Sequence, residues 1–187
     1  MTSRTLAICL TLCLASGCTA VPKPAPPLQQ SADRTGTTTL QAVFGPPSQA
    51  GFGSAVFAEK ISQPQDLEAA AKRAYRHFLG TDWAGAGEAV WMAPWQRVYA
   101  RPPGLRADIV AELRGIRNPE ARSSISMLLD GHDKPGAARQ ALSAVYDDAG
   151  MATVEVYTLG DGAALSGILI AGRARSGAAT LLVFLMD

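Results

Sequence analysis

The chain closes on MATVEVYTLG (151–160), DGAALSGILI (161–170), AGRARSGAAT (171–180) and LLVFLMD (181–187). Residues 151–159 alternate and carry Val154, Val156 and Tyr157, a strand pattern. Gly160-Asp161-Gly162 supplies a turn with the positive φ that hairpins need. A second strand follows at 164–172, with Leu165, Ile168, Leu169 and Ile170. Arg175-Ser176-Gly177 is a polar turn into a third strand at 180–186. Leu181-Leu182-Val183-Phe184-Leu185-Met186 is apolar on both faces, as a central strand covered on both sides is. The three strands read as an antiparallel β-meander, and the segment 181–187 is expected in the core.

Upstream the period changes to that of helices. Residues 63–79 carry the apolar stripe Leu67, Ala70, Ala71, Ala74, Phe78 and Leu79, and Gly80 is a stop. Ser62 and Gln65 have capping-box spacing. A second helix is expected at 105–116, burying Leu105, Ile109, Leu113 and Ile116. A third starts at Asn118-Pro119, a cap followed by a first-turn proline, and runs to Gly131. It buries Ala121, Ile125, Leu128 and Leu129. A fourth, 136–146, carries Ala138, Leu142 and Val145, though its end also reads as a strand. Leu40–Phe44 is a candidate strand stopped by Gly45-Pro46-Pro47, and 51–57 is either a strand or an irregular loop. The fold class is therefore α+β: three to four helices packed on a C-terminal antiparallel β-meander. Helices precede strands instead of alternating with them, which argues against a doubly wound parallel sheet.

The N-terminus has a different character. Arg4 is the only charge before an apolar run of about a dozen residues, well short of the roughly 20 that span a bilayer. The run ends in Leu14-Ala15-Ser16-Gly17-Cys18. This layout resembles the signal peptide and lipobox of bacterial lipoproteins, with Ala15 where that family prefers Leu. The resemblance covers about the first tenth of the chain. It implies cleavage before Cys18, a diacylglyceryl group on the Cys18 thiol and a further acyl chain on its amine. More than one chain anchors a protein stably. Thr19 stands where such lipoproteins carry Asp for inner-membrane retention, so the implied destination is the periplasmic face of the outer membrane. The expected organisation is a signal peptide at 1–17, a lipidated cysteine and linker at 18–38, and one globular domain at 39–187. Pro22, Pro24, Pro26 and Pro27 favour an extended linker. Twenty such residues at about 3.1 Å each hold the domain up to roughly 60 Å from the lipid.

Composition narrows the function. Removing Arg4 leaves 16 basic against 16 acidic side chains, and a neutral domain is unsuited to nucleic acid. Cys9, Cys13 and Cys18 are the only cysteines, so the domain after Cys18 offers no thiol chemistry and no cysteine-ligated metal. His77 and His132 are far apart and lack the spacing of zinc ligands. His132-Asp133 reads as turn chemistry, as do Asp147-Asp148 and Asp161. No metal and no cofactor is expected.

Two clusters stand out. Trp83, Trp91, Trp95 and Tyr99 fall close together in a chain with few aromatics. They read as a core plug at the end of the domain, or as a platform for sugar rings or a partner's groove. The segment 97–122 carries six arginines against three acids, with Arg106, Arg114 and Arg117 placed along one edge of the second helix. They read as a solvated helix face, or as a site for lipid phosphates or an acidic partner. The leading expectation is a non-enzymatic accessory or scaffold lipoprotein that docks on a periplasmic or outer-membrane assembly through this Trp/Arg surface. The alternatives are a glycan- or peptidoglycan-binding module using the tryptophans and, third, a small hydrolase using His132.

Overall fold

The computed structural model describes residues 28–187, with side chains from Thr35 onward. The signal segment, Cys18 and the first part of the linker lie outside the described residues. In chain order the elements are α1 (Leu28–Phe44), β1 (Gly53–Lys60), a 3-10 turn (Pro64–Asp66), α2 (Leu67–Leu79), α3 (Thr81–Ala86) and α4 (Glu88–Met92). They continue with β2 (Gln96–Ala100), α5 (Ile109–Gly115), α6 (Pro119–Asp130), α7 (Pro135–Tyr146), β3 (Met151–Gly160), β4 (Ser166–Ala174) and β5 (Ala178–Met186).

The strands form one antiparallel sheet in the order β1-β5-β4-β3-β2. The meander β3-β4-β5 is its middle, as the alternation of 151–187 implies. β5 is an interior strand, with β4 on one side and β1 on the other. Helices cover both faces. Val56, Val154, Val156, Ile168, Ile170 and Leu182 pack against residues of α1, α5, α6 and α7. Ala55, Tyr157, Leu159, Leu169, Leu181, Val183 and Leu185 pack under α2, α3 and α4. This double cover explains the continuous apolar runs in β4 and β5. The β3–β4 turn is held by Asp161, whose carboxylate accepts from the Ala163 and Leu165 N–H groups at 2.9 Å each. Those bonds hold its carboxyl below the usual range.

The helices α2, α6 and α7 follow the periodic stripes read from the chain. Asn118 caps α6, its side chain accepting from Ala121 N at 3.0 Å. α7 stays helical to Tyr146. Several expectations are corrected. Ser62 and Gln65 form no capping box: the 3-10 turn starts after Gln63 with no side-chain cap. Leu40–Phe44 is not a strand but the end of α1, and residues 28–38 belong to that helix instead of to a linker. Leu40 and Phe44 are four apart and both buried, which is helical spacing against the core. The second helix begins only at Ile109, because Asp108 caps it by accepting from Ala111 N at 3.0 Å. Leu105 therefore falls in the preceding loop and is exposed, not buried. Residues 51–57 give β1, and 96–100 give an edge strand, β2.

α1 and α7 run antiparallel. Gly36 lies against the last turn of α7, where an added Cβ would sit 3.0 Å from the Ala144 carbonyl oxygen. Phe44, at the other end of α1, lies edge-on to His132 at 5.7 Å, just before α7 starts. The middle of α1, at Gly36 and Thr37, thus shares one end of the sheet with the end of α7, the start of β3 and the β4–β5 turn, and α1 begins eight residues earlier. We call this the near end.

Candidate functional site

The tryptophans are core, not surface. The short helices α3 and α4 fold Trp83 and Trp91 inward, leaving them 8% and 4% exposed. The Trp91 indole N–H donates to the Asp82 carbonyl at 3.0 Å. Tyr75 meets both rings edge-on at 6.1 and 6.4 Å. Trp95 is half-buried and stacks on Tyr157 at 4.7 Å, with the Lys72 ammonium 5.6 Å from its ring centroid. Its indole N–H donates to Glu68 at 3.2 Å. Tyr99 packs on the opposite face of the sheet from the tryptophans. The four aromatics therefore do not form one platform, and the only tryptophan with solvent access is already stacked. The physical reason is composition. α2 turns the small side chains of Ala70, Ala71 and Ala74 to this layer, and the indole rings supply buried area that these do not. Trp91→Ala is expected to cost about 3–5 kcal/mol of stability, as large-to-small changes of buried tryptophan do. Urea denaturation followed by far-UV circular dichroism reads it. An unchanged midpoint would return Trp91 to the surface.

The arginines separate as well. Arg114 lies on α5 and pairs with Asp130 at 3.1 Å, and Asp130 also pairs with Arg139 at 2.8 Å. Arg106 lies in the loop before α5 and Arg117 in the link to α6, so the three do not line one helix edge. Arg106, Arg117 and Arg122 are exposed, and no acidic partner is bonded to them among the described residues.

The polar centre that sequence reasoning missed is Arg101. Its side chain is 9% exposed and that of its partner Glu112 is 6% exposed. Arg101 Nε donates to both Glu112 oxygens at 2.9 Å, and its Nη1 donates to the Tyr146 carbonyl at 2.7 Å. Nη2 reaches Asp147 at 3.5 Å, and the same Asp147 oxygen accepts from Ile109 N at 2.7 Å. Burial raises the Asp147 carboxyl above its ordinary value. It also pushes the neighbouring Tyr99 phenol up to about 12, helped by Glu112. The result is a clamp that ties both ends of the 102–108 loop to the end of α7.

Beside this clamp, at the near end, lies a cleft of about 440 Å³ between α1 and α7. Gly36, Ala144, Ala174 and Ala178 leave the space that larger side chains would fill. Thr37 and Thr180 hydroxyls meet across it at 3.1 Å. The cleft suits a small apolar group. Its lining is scattered over the chain, so no local motif announces it. At the far end, His132 contacts Phe44, and its Nδ1 accepts from Lys134 N at 3.5 Å. Among the described residues, no group of three His, Cys, Asp or Glu side chains is placed to hold a metal. No helix among them is long and apolar enough to cross a membrane.

No family model, curated protein or solved structure matches the chain.

Proposed function

We propose that the protein is a lipid-anchored envelope lipoprotein, held through Cys18 at the periplasmic face of the outer membrane, whose domain is a non-enzymatic accessory that docks on an envelope assembly. The observation that carries this reading is α1. It starts ten positions after Cys18 and packs directly on α7 and the sheet. Ten Cα steps reach at most about 35 Å, against the roughly 60 Å expected of a twenty-residue linker. An anchor at Cys18 would thus hold a rigid domain close to the lipid. The docking surface moves from the tryptophans, which are needed in the core, to the exposed arginines Arg117 and Arg122 at the start of α6. Their chemistry suits an acidic protein face.

Cross-linking in intact cells tests it, with a tag placed after the exposed Asp187. Mass analysis of the Cys18 peptide reports the lipid, and Cys18→Ser releases the protein from the membrane fraction. The wild-type chain is expected to co-purify with one stoichiometric envelope protein, lost in Arg117→Glu/Arg122→Glu. A lipidated wild-type chain that enriches no protein overturns the accessory role.

A further inference from the structure

Among the described residues, four large apolar side chains are well exposed: Phe52, Val90, Leu105 and Met127. Three lie away from the near end. Phe52 precedes Gly53, which pairs with Leu185 at the far end of the sheet. Val90 lies on α4, bonded through Trp91 to Asp82, whose carboxylate lies against Gly51 beside Phe52. Met127 is in the last turn of α6, leading to His132 and the far end of α1. Of these four, Leu105 alone lies at the near end, the side from which the chain enters α1, and it is 50% exposed.

The loop that carries it is built, not slack. Arg101 fixes one side to the end of α7, and Ile109 N fixes the other to Asp147. Between them Gly104, at φ 79°, turns the chain, and Leu105 N donates to Pro102 O at 3.2 Å. A side chain held outward on a pinned turn avoids much of the ordering cost of contact. Arg106 follows it, exposed. The acids nearby are each bonded: Asp108, itself exposed, accepts from Ala111 N, Asp147 from Ile109 N and Arg101, Asp148 from Gly150 N, and Glu59 pairs with Arg73. Arg106, Arg175 and Lys60 remain as exposed cations of this end.

We propose that the 102–108 loop is a membrane-contact loop. Leu105 enters the headgroup layer of the bilayer that holds the anchor, and Arg106 pairs with lipid phosphate. This rests on the anchored reading, since the chain outside the structure leads from the start of α1 to Cys18 within about 35 Å. Tethering makes a weak contact intramolecular, at an effective concentration of order millimolar. The bilayer then sets the orientation of the domain, with Phe52 facing away from it.

Beyond Cys18 the chain has no cysteine, so Leu105→Cys and Phe52→Cys each give a single labelling site in the folded domain. The lipidated protein, labelled with an environment-sensitive fluorophore, is reconstituted into phosphatidylethanolamine/phosphatidylglycerol vesicles and floated. The expected result is a blue shift and quenching by brominated lipid at position 105, with neither at position 52. Adding Arg106→Glu, or high salt, weakens the quenching at 105. Flotation with an aqueous signal at 105 overturns the contact and leaves the anchor standing. Failure to float overturns the anchored reading, and the contact with it.

Discussion

A chain ending at Thr180 is expected not to fold. The deletion removes most of β5, the interior strand that bonds to β4 on one edge and β1 on the other. Leu181, Leu182, Val183 and Leu185 are all buried, and they feed both core layers. Each buried side chain of this size contributes about 1.5–3 kcal/mol. Four together are comparable to the whole stability of a domain, about 5–15 kcal/mol. β1 also loses its only strand partner among the described residues, β5. The expected readout is loss of the cooperative thermal transition, with rapid proteolysis at low protease. A shortened chain that still melts cooperatively would mean that β5 is not the centre of the sheet.

Arg101→Ala is expected to be the most damaging single polar substitution. It strands the Glu112 carboxylate, which keeps the Asp108 N–H at 3.1 Å but loses both bonds from the Arg101 Nε. Breaking one side of a buried ion pair costs about 3–5 kcal/mol. Arg101→Met/Glu112→Leu, which removes both charges and keeps volume, is expected to be more stable than either Arg101→Met or Glu112→Leu alone. Urea denaturation of the three variants gives the coupling directly. Additive losses would show that the two side chains do not depend on each other. The test also bears on the 102–108 loop, since Arg101 is one of its two pins.

What the sequence made legible follows from where local and tertiary preferences agree. In β3, β4 and β5, strand residues, turn residues and burial all point the same way. In α6, the Asn118 cap and Pro119 mark the start and the stripe from Ala121 to Leu129 marks the buried face. α1 was not legible, because Thr37-Thr38-Thr39 is β-branched and Gly36 is a poor helix residue. The packing of Leu40, Phe44 and Gly36 against the rest of the fold overrides that preference. The period of Leu105 predicts a second helix from residue 105, but the Asp108 cap starts it at Ile109. Trp83 and Trp91 showed their size in the sequence but not their side of the surface. Arg101 is one of six arginines in its segment, and nothing local distinguishes the buried one. The near-end cleft depends on small residues brought together from four separate elements.

The sheet joins Gly53–Lys60 to Ala178–Met186 across more than a hundred intervening residues. Such a pairing is slow to form, because distant segments must find each other before the contact repays the loss of chain freedom. The polypeptide cannot close its sheet until its last strand has been made, so the finished fold waits on the end of synthesis.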